Sequence, residues 1–358
     1  MSEEKELMPD TLKERPLREA LTSNDSALKF DRDLLLRMHR IMVRTRVLEE
    51  RLIKMSKGGE GFFWIGGPGE EAFNVPLGFL IKKGSGVEND FLHFHYRSSA
   101  TLLAMGADPI DSIRQMRSTG TDPYSKGRQF VNHYAVPEWN VVPVSPTIET
   151  QYLTAIGTGI AQARAGWEGI TIVTGGDAGT AEGDFHSCLV WANRPALRLP
   201  ILMLVVNNGY GISTPWRDQF GLKKLSDWSK AFDMPGKTID GNDPVVSYHA
   251  LKEAMAYVRK ERKPYLLEAQ TSRLYGHSSS SGANRVAEPD CIPMLEERLI
   301  RLGLGTQEQF EGVWLEERNA VHAAHQKVRQ EPYPDPASIW EDVFSGPLPD
   351  SYPRKGGS

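Results

Sequence analysis

Two polar elements of this chain have the residue types and spacing to hold a metal-bridged diphosphate. Asp177 stands in the run Gly175-Gly176-Asp177-Ala178-Gly179, and the pair Asn207-Asn208 follows after residues 179–206, which read as one helix and one strand. Mg2+ takes a compact octahedron of hard oxygen ligands, often including the phosphates of what it helps to bind. Asp177 offers charge and Asn208 a neutral oxygen. A backbone carbonyl of the loop 208–214, with Tyr210 the candidate, can complete the protein's share, because glycines let the chain turn back toward the ion. An Asp after a strand is often only a turn or capping residue. Here the context favours a ligand: residues 170–174 and 199–206 are apolar runs of the kind buried in parallel sheets, so both polar groups emerge at adjacent strand ends. In open α/β sheets, ligands bind in the crevice outside the carboxyl ends of the strands.

Other residues offer related chemistry. Arg97 closes Phe91 to Arg97, a run that reads as a strand, and a guanidinium there can grip a phosphate oxygen with two donors. The plain alternative is a surface salt bridge. His277 lies beyond the strand-like run Tyr265-Leu266-Leu267-Glu268-Ala269, and His133 lies in Arg128-Gln129-Phe130-Val131-Asn132-His133-Tyr134. An imidazole tuned near neutral pH can hold or move a proton, although a lone histidine is more often structural. His93-Phe94-His95 puts two imidazoles on one face of a strand, but a zinc pair lacks a third ligand nearby. Gly157-Thr158-Gly159-Ile160-Ala161-Gln162-Ala163 resembles a dinucleotide fingerprint only superficially, because it does not follow a strand; its small residues read as a tightly packed helix.

The Gly-Asp and Asn-Asn elements together resemble the thiamine diphosphate fold motif. Glu182-Gly183-Asp184-Phe185-His186 and Asn207-Asn208-Gly209-Tyr210-Gly211-Ile212-Ser213-Thr214 narrow the resemblance to the alpha subunit of the decarboxylating component of 2-oxoacid dehydrogenase complexes. Further matches run in order from about Leu34 to about Trp340: Gly69-Glu70-Glu71-Ala72, Tyr96-Arg97, Lys126-Gly127-Arg128-Gln129, Asp240-Gly241-Asn242-Asp243 and Gly276-His277-Ser278. Lys126-Gly127-Arg128-Gln129 and Glu182 to His186 favour the branched-chain type over the pyruvate or acetoin types.

The resemblance implies an α/β fold, with a doubly wound, mostly parallel sheet and helical N- and C-terminal extensions. It implies thiamine diphosphate held by Tyr96, Arg97, Ser145, Ile148, Gly176, Asp177, Ala178, Gly179, Asn208 and His277. Asp177, Asn208 and Tyr210 would hold Mg2+, Ile148 would wedge the bent cofactor, and Thr150 and Gln151 could serve potassium. His277 and His133 are the catalytic candidates, and His95 lies where relatives shape the substrate pocket. The implied reaction is oxidative decarboxylation of a 2-oxoacid such as 3-methyl-2-oxobutanoate, with the cofactor as electron sink. The acyl group then passes to the lipoyl group of the acyltransferase component. The glutamate that acts on the cofactor's pyrimidine ring belongs in this family to a beta subunit, which implies an α2β2 assembly. A pyruvate or acetoin dehydrogenase alpha subunit is the alternative within the class, and a scaffold subunit that keeps the fold without catalysis is the alternative outside it.

Four departures stand out. Ala178 replaces the usual third glycine, which threatens to crowd the diphosphate or forbid a positive φ. Val206 replaces a basic residue before the Asn pair. Three residues, not the usual two, separate Ser145-Pro146 from Thr150-Gln151, and Ser281-Gly282 stand where phosphorylated relatives carry acidic residues beside the serines 278 to 281.

Composition agrees with a large globular domain plus appendages: 358 residues, 40% hydrophobic, and a formal charge of −4 that leaves no basic footprint for nucleic acid. No apolar run is long enough to cross a membrane. Two cysteines, Cys188 and Cys291, exclude a disulfide framework and suit a reducing compartment, and the acidic N-terminus is unlike a signal or transit peptide, so the reading is cytoplasmic. Residues 1–30 read as a flexible arm, 31–345 as the cofactor-binding domain with a helical region from about 290, and 346–358 as a disordered tail. Asp31 or Asp33 caps a first helix that Gly58-Gly59 stops, and its Arg40, Arg44 and Arg51 read as a solvated face.

Overall fold

The computed structural model describes residues 30–341, 343, 345 and 346. The arm expected at 1–30 and the tail at 346–358 thus fall almost wholly outside the described residues. In chain order come α1 (Arg32–Lys57), α2 (Glu71–Leu80), β1 (Phe91–His93), α3 (Ser99–Ala104), α4 (Pro109–Arg117), α5 (Thr150–Ala165), β2 (Thr171–Gly176), α6 (Gly183–Ala192) and β3 (Ile201–Asn207). Then follow β4 (Tyr210–Gly211), β5 (Thr214–Pro215), α7 (Trp228–Ala231), β6 (Gly236–Asp240), α8 (Pro244–Glu261), β7 (Tyr265–Gln270), α9 (Cys291–Arg301) and α10 (Gln307–Val328).

Five strands form one sheet in the order β1-β2-β3-β7-β6, and every pairing in it is parallel. The chain steps from β1 through β3 in one direction, then jumps to the far edge and returns, so the winding reverses beside β3. Strand periodicity divides the core. Leu202, Leu204 and Val206 of β3 pack with α2, α3 and α8, while Ile201, Met203 and Val205 pack with α5 and α6 on the other face. A third cluster joins α1, α4, α9 and α10 to the outer side of α2. This is the expected doubly wound α/β architecture with helical extensions.

Local chemistry sets the boundaries. Asp31 caps α1 by accepting from the backbone of Asp33 and Leu34 at 2.9 and 3.1 Å, and Gly58 ends it. The arginines of α1 do not form a solvated face. Arg40 donates to Glu316 at 2.7 Å and Arg44 to Glu317 at 2.8 Å, so this side of α1 is laced to α10. Arg51 likewise faces His322 of α10, at 3.4 Å.

The strand expected over 91–97 stops at His93, because the backbone N–H of His95 donates to the side chain of Thr174 at 2.7 Å instead of continuing the ladder. The two imidazoles therefore part company. His93 lies between Thr154 and Thr158 of α5 at 3.1 and 2.9 Å, and the ring of His95 rests 3.8 Å from that of Tyr96. Residues 157–163 lie inside α5, as the small-residue pattern indicates. Both cysteines are buried and free, and among the described residues no helix is long and apolar enough to cross a membrane.

Candidate functional site

The crevice forms where β2 and β3 end side by side. Their register pairs Gly176 with Val206, so Asp177 is the first residue past β2 and Asn208 the first past β3. Both side chains are essentially buried. The two asparagines divide the labour. Asn207 turns inward, donating to Glu268 of β7 at 2.8 Å and accepting from Gly209 N at 3.0 Å. Asn208 turns toward the crevice and donates to Glu70 Oε1 at 3.1 Å. Gly209, at φ +83°, then lets the chain fold into the β4–β5 hairpin, which places Tyr210 beside Asn208.

Arg97 faces these groups from beyond β1. It is buried, its Nε lies 3.7 Å from Glu70 Oε1, and its Nη2 donates to His277 Nδ1 at 3.2 Å. Because a guanidinium only donates, that bond leaves neutral His277 with its proton on Nε2. His277 is brought here by backbone lacing between two glycine-bearing segments: Leu274 N donates to Pro68 O at 3.0 Å, and Ile65 bridges Ser278. Gly69, at φ +111°, is where a Cβ would overlap Ser272 O, so only glycine permits this approach.

The imidazoles are not tuned near neutrality. Burial, then Arg97 and Arg273, push His277 down to about 4, and burial lowers His133. His133 donates from Nδ1 to Val131 O at 3.1 Å, so its Nε2 is an acceptor, and among the described residues that buried atom has no partner. The Tyr96 ring lies between the two, with centroids 6.1 Å from His133 and 6.2 Å from His277. The site thus presents one Nε2–H donor and one Nε2 acceptor around a single aromatic ring. That pairing can hold a proton on one side and receive one on the other.

The structure brings Tyr96, Arg97, Gly176, Asp177, Asn208, His133 and His277 together. Ser145 and Ile148 stand at its margin: Ser145 Oγ accepts from Thr147 N at 3.1 Å within its own turn, and Ile148 is 40% exposed. Ala178 does not take a positive φ, so its methyl group does not strain the 3-10 turn in which it lies with Gly179. It faces Gly211, where a Cβ would come within 2.6 Å of the Ala178 methyl carbon. Val206 points into the core and offers no charge. Arg273 stands near by, donating to Ile212 O at 2.7 Å with its guanidinium 4.4 Å from the Tyr210 ring centre.

Three buried carboxyl groups that sequence reasoning missed complete the site. Glu70 meets both Asn208 and Arg97, and burial first of all pushes it up to about 7. Glu49, also raised by burial to about 7, accepts from Trp64 Nε1 at 2.8 Å, Ser99 Oγ at 2.7 Å and Asn132 Nδ2 at 3.3 Å. Glu149 lies beneath the Gly175–Gly179 turn, accepting from Gly176 N at 3.2 Å, and burial pushes it up to about 8. No periodicity marks such groups, since their partners lie far away in sequence. The Gly69-Glu70-Glu71-Ala72 match pointed to the segment of Glu70, and the extra residue between Ser145-Pro146 and Thr150-Gln151 to that of Glu149; neither marked the carboxyl itself.

These residues fit a metal-bridged diphosphate. Asp177 and Asn208 supply hard oxygens at adjacent strand ends, and Arg97 supplies the facing cation. Gly176 keeps the approach clear, since a Cβ there would lie 3.1 Å from Arg97 Nη1.

Residues 39–337 match the family described as "Dehydrogenase E1 component". The chain is 30% identical over 319 residues to the 2-oxoisovalerate dehydrogenase subunit alpha of Bacillus subtilis, covering 86% of this chain and 94% of that one. It is 29% identical over 265 residues to the mitochondrial 2-oxoisovalerate dehydrogenase subunit alpha 2 of Arabidopsis thaliana (74% and 54%), and 27% identical over 319 residues to the mitochondrial alpha subunit of Mus musculus (86% and 70%). With a match spanning most of its length and the strand-end crevice just described, the chain belongs to the dehydrogenase E1 component family.

Proposed function

We propose that this chain is the alpha subunit of a branched-chain 2-oxoacid dehydrogenase, holding the diphosphate end of thiamine diphosphate with Mg2+. The observation that carries the reading is the convergence of Asp177 and Asn208, at adjacent strand ends, on the buried Arg97–His277 pair. The bound cofactor supplies an electron sink for decarboxylation. Asp177, the Asn208 amide oxygen and the Tyr210 carbonyl hold the metal ion. Arg97 binds a phosphate oxygen, and Glu70 orients both Arg97 and Asn208. Tyr96, Ser145, Gly176, Ala178 and Gly179 line the cofactor, with Ile148 as its wedge. His277 donates from Nε2, and the acceptor Nε2 of His133 receives or returns a proton at the substrate end. Potassium near Thr150 and Gln151 belongs to the same reading, although Gln151 already donates to Glu149 at 3.2 Å and to Thr174 O at 3.1 Å.

The acyl product passes to the lipoyl group of an acyltransferase component, and a beta subunit completes the site in an α2β2 assembly. A cytoplasmic place of action belongs to the same reading, and the free thiols of Cys188 and Cys291 suit a reducing compartment. The test is decarboxylation of 3-methyl-2-oxobutanoate and of pyruvate by this chain co-purified with its beta subunit, thiamine diphosphate, Mg2+ and an artificial electron acceptor. Preference for the branched substrate supports the reading. Preference for pyruvate moves the chain to the sister type, and inactivity on both refutes the assignment.

A further inference from the structure

Glu149 combines two features that are each costly in a fold, a left-handed backbone and a buried carboxyl, at the edge of the crevice. It precedes α5 with φ at +64°, a conformation that a residue with a Cβ rarely adopts, and it is fully buried. Such outliers persist only where the surroundings over-determine them, and they cluster at functional sites. The left-handed turn sends neighbouring side chains opposite ways: Ile148 outward, 40% exposed, and the Glu149 carboxyl inward beneath the end of β2. There one oxygen accepts from Gly176 N and the other from Gln151 Nε2, both at 3.2 Å, while Gln151 also holds Thr174 O of β2 at 3.1 Å.

Two glycines make the room. A Cβ at Gly175 would overlap Glu149 Oε2, and a Cβ at Gly179 would overlap Glu149 Oε1. The carboxyl therefore fills the space on both sides of Asp177 and reaches the backbone one residue before it. The residue that makes this possible sits in the stretch that is one residue longer than expected between Ser145-Pro146 and Thr150-Gln151.

We propose that Glu149 is the positioning residue of the diphosphate site, propping the Gly175–Gly179 turn against the start of α5 and so fixing together where Asp177 and Ile148 face the cofactor. The inference rests on the functional reading above. Its carboxyl need not touch the cofactor; it acts through the backbone of Gly176 and the turn at Thr150. Binding is thereby preorganised, because the two cofactor-facing segments do not have to be brought into register when the diphosphate arrives.

The test is calorimetric titration of thiamine diphosphate at saturating Mg2+ into this chain with its beta subunit, for the native sequence, Glu149→Ala, Glu149→Gln, Gly179→Ala and the double variant Glu149→Ala/Gly179→Ala. We expect Glu149→Ala to raise Kd about tenfold or more. Glu149→Gln, which keeps an acceptor for Gly176 N, recovers to within about threefold of native. Gly179→Ala harms binding more in the native background than in Glu149→Ala, where its Cβ no longer meets the carboxyl. Steady-state kinetics follow the same split, with KM for the cofactor rising and kcat at saturation changing little. A merely structural role would lower the melting temperature of the cofactor-free protein and leave Kd alone. Native binding with an unchanged Kd in Glu149→Ala overturns this proposal and leaves the functional reading standing. No Mg2+-dependent binding by the native complex overturns both.

Discussion

Arg46 offers a sharp test of how the outer helices hold the crevice in place. It donates from Nε and Nη2 to the two oxygens of Glu71 at 2.7 and 2.9 Å, and from Nη1 to Asp290 at 2.7 Å. Its side chain is 2% exposed and that of Glu71 is fully buried. Glu71 in turn accepts from Gly69 N at 2.7 Å, so the clamp joins α1 to the segment that carries Glu70. Arg46→Met keeps the aliphatic stem and removes the charge. Removing one member of a buried pair strands the other and costs about 3–5 kcal/mol. Asp290 retains Arg285 at 2.8 Å, so the loss falls on Glu71 and we expect about 3 kcal/mol, the lower end. At about 2 °C per kcal/mol for a chain of this size, scanning calorimetry should register a fall on the order of 6 °C. Adding Glu71→Gln removes the stranded charge and keeps an acceptor for Gly69 N, so the double variant should recover more than half the loss. A single variant within about 1 kcal/mol of native, or a double no better than the single, refutes this reasoning.

Three further outcomes follow from the same structure. Leu204→Ala removes a fully buried side chain from the middle of β3 and should cost about 2–5 kcal/mol in urea unfolding. His277→Ala and His133→Ala should each lower kcat of the assembled enzyme about 10²–10⁴-fold, since each loses a proton-handling nitrogen; the melting temperature should fall more in His133→Ala, which also loses ring contacts with Tyr96 and Phe130. Glu49 is held up at about 7, above its value of about 4.3 in an unfolded chain, so the folded state binds that proton more tightly. Its contribution is therefore present at low pH and is lost as pH rises from about 4 to about 7; Glu49→Gln should flatten the change in urea midpoint between pH 5 and pH 8.

What could be read in advance depended on whether the signal was local. The placement of Asp177 and Asn208 just past adjacent strands was legible because buried parallel strands are written as continuous apolar runs, and a polar residue just past such a run lies at the strand end. The cap of α1 at Asp31 was legible for the same reason, since a capping side chain bonds the backbone two or three residues on. The face of α1 was misread because charged residues at helical spacing look solvated until α10, about 270 residues later, supplies Glu316 and Glu317. The strand at Phe91 was drawn too long because the hydroxyl that ends it belongs to Thr174. Glu49, Glu70 and Glu149 were opaque because burial of a carboxyl is a property of the assembled fold. At Ala178 the concern was chemically sound, but the turn there needs no positive φ and Gly211 yields the space.

We propose that Asp177 and Asn208 hold thiamine diphosphate through Mg2+. The measurement that tests it most directly is titration of thiamine diphosphate into this chain with its beta subunit, with Mg2+ and then with excess chelator, on the native sequence and on Asp177→Ala. We expect saturable binding that requires the metal and disappears in Asp177→Ala while the variant keeps the native melting temperature in the absence of cofactor. Equal binding by the folded variant, or binding indifferent to the metal, would contradict it.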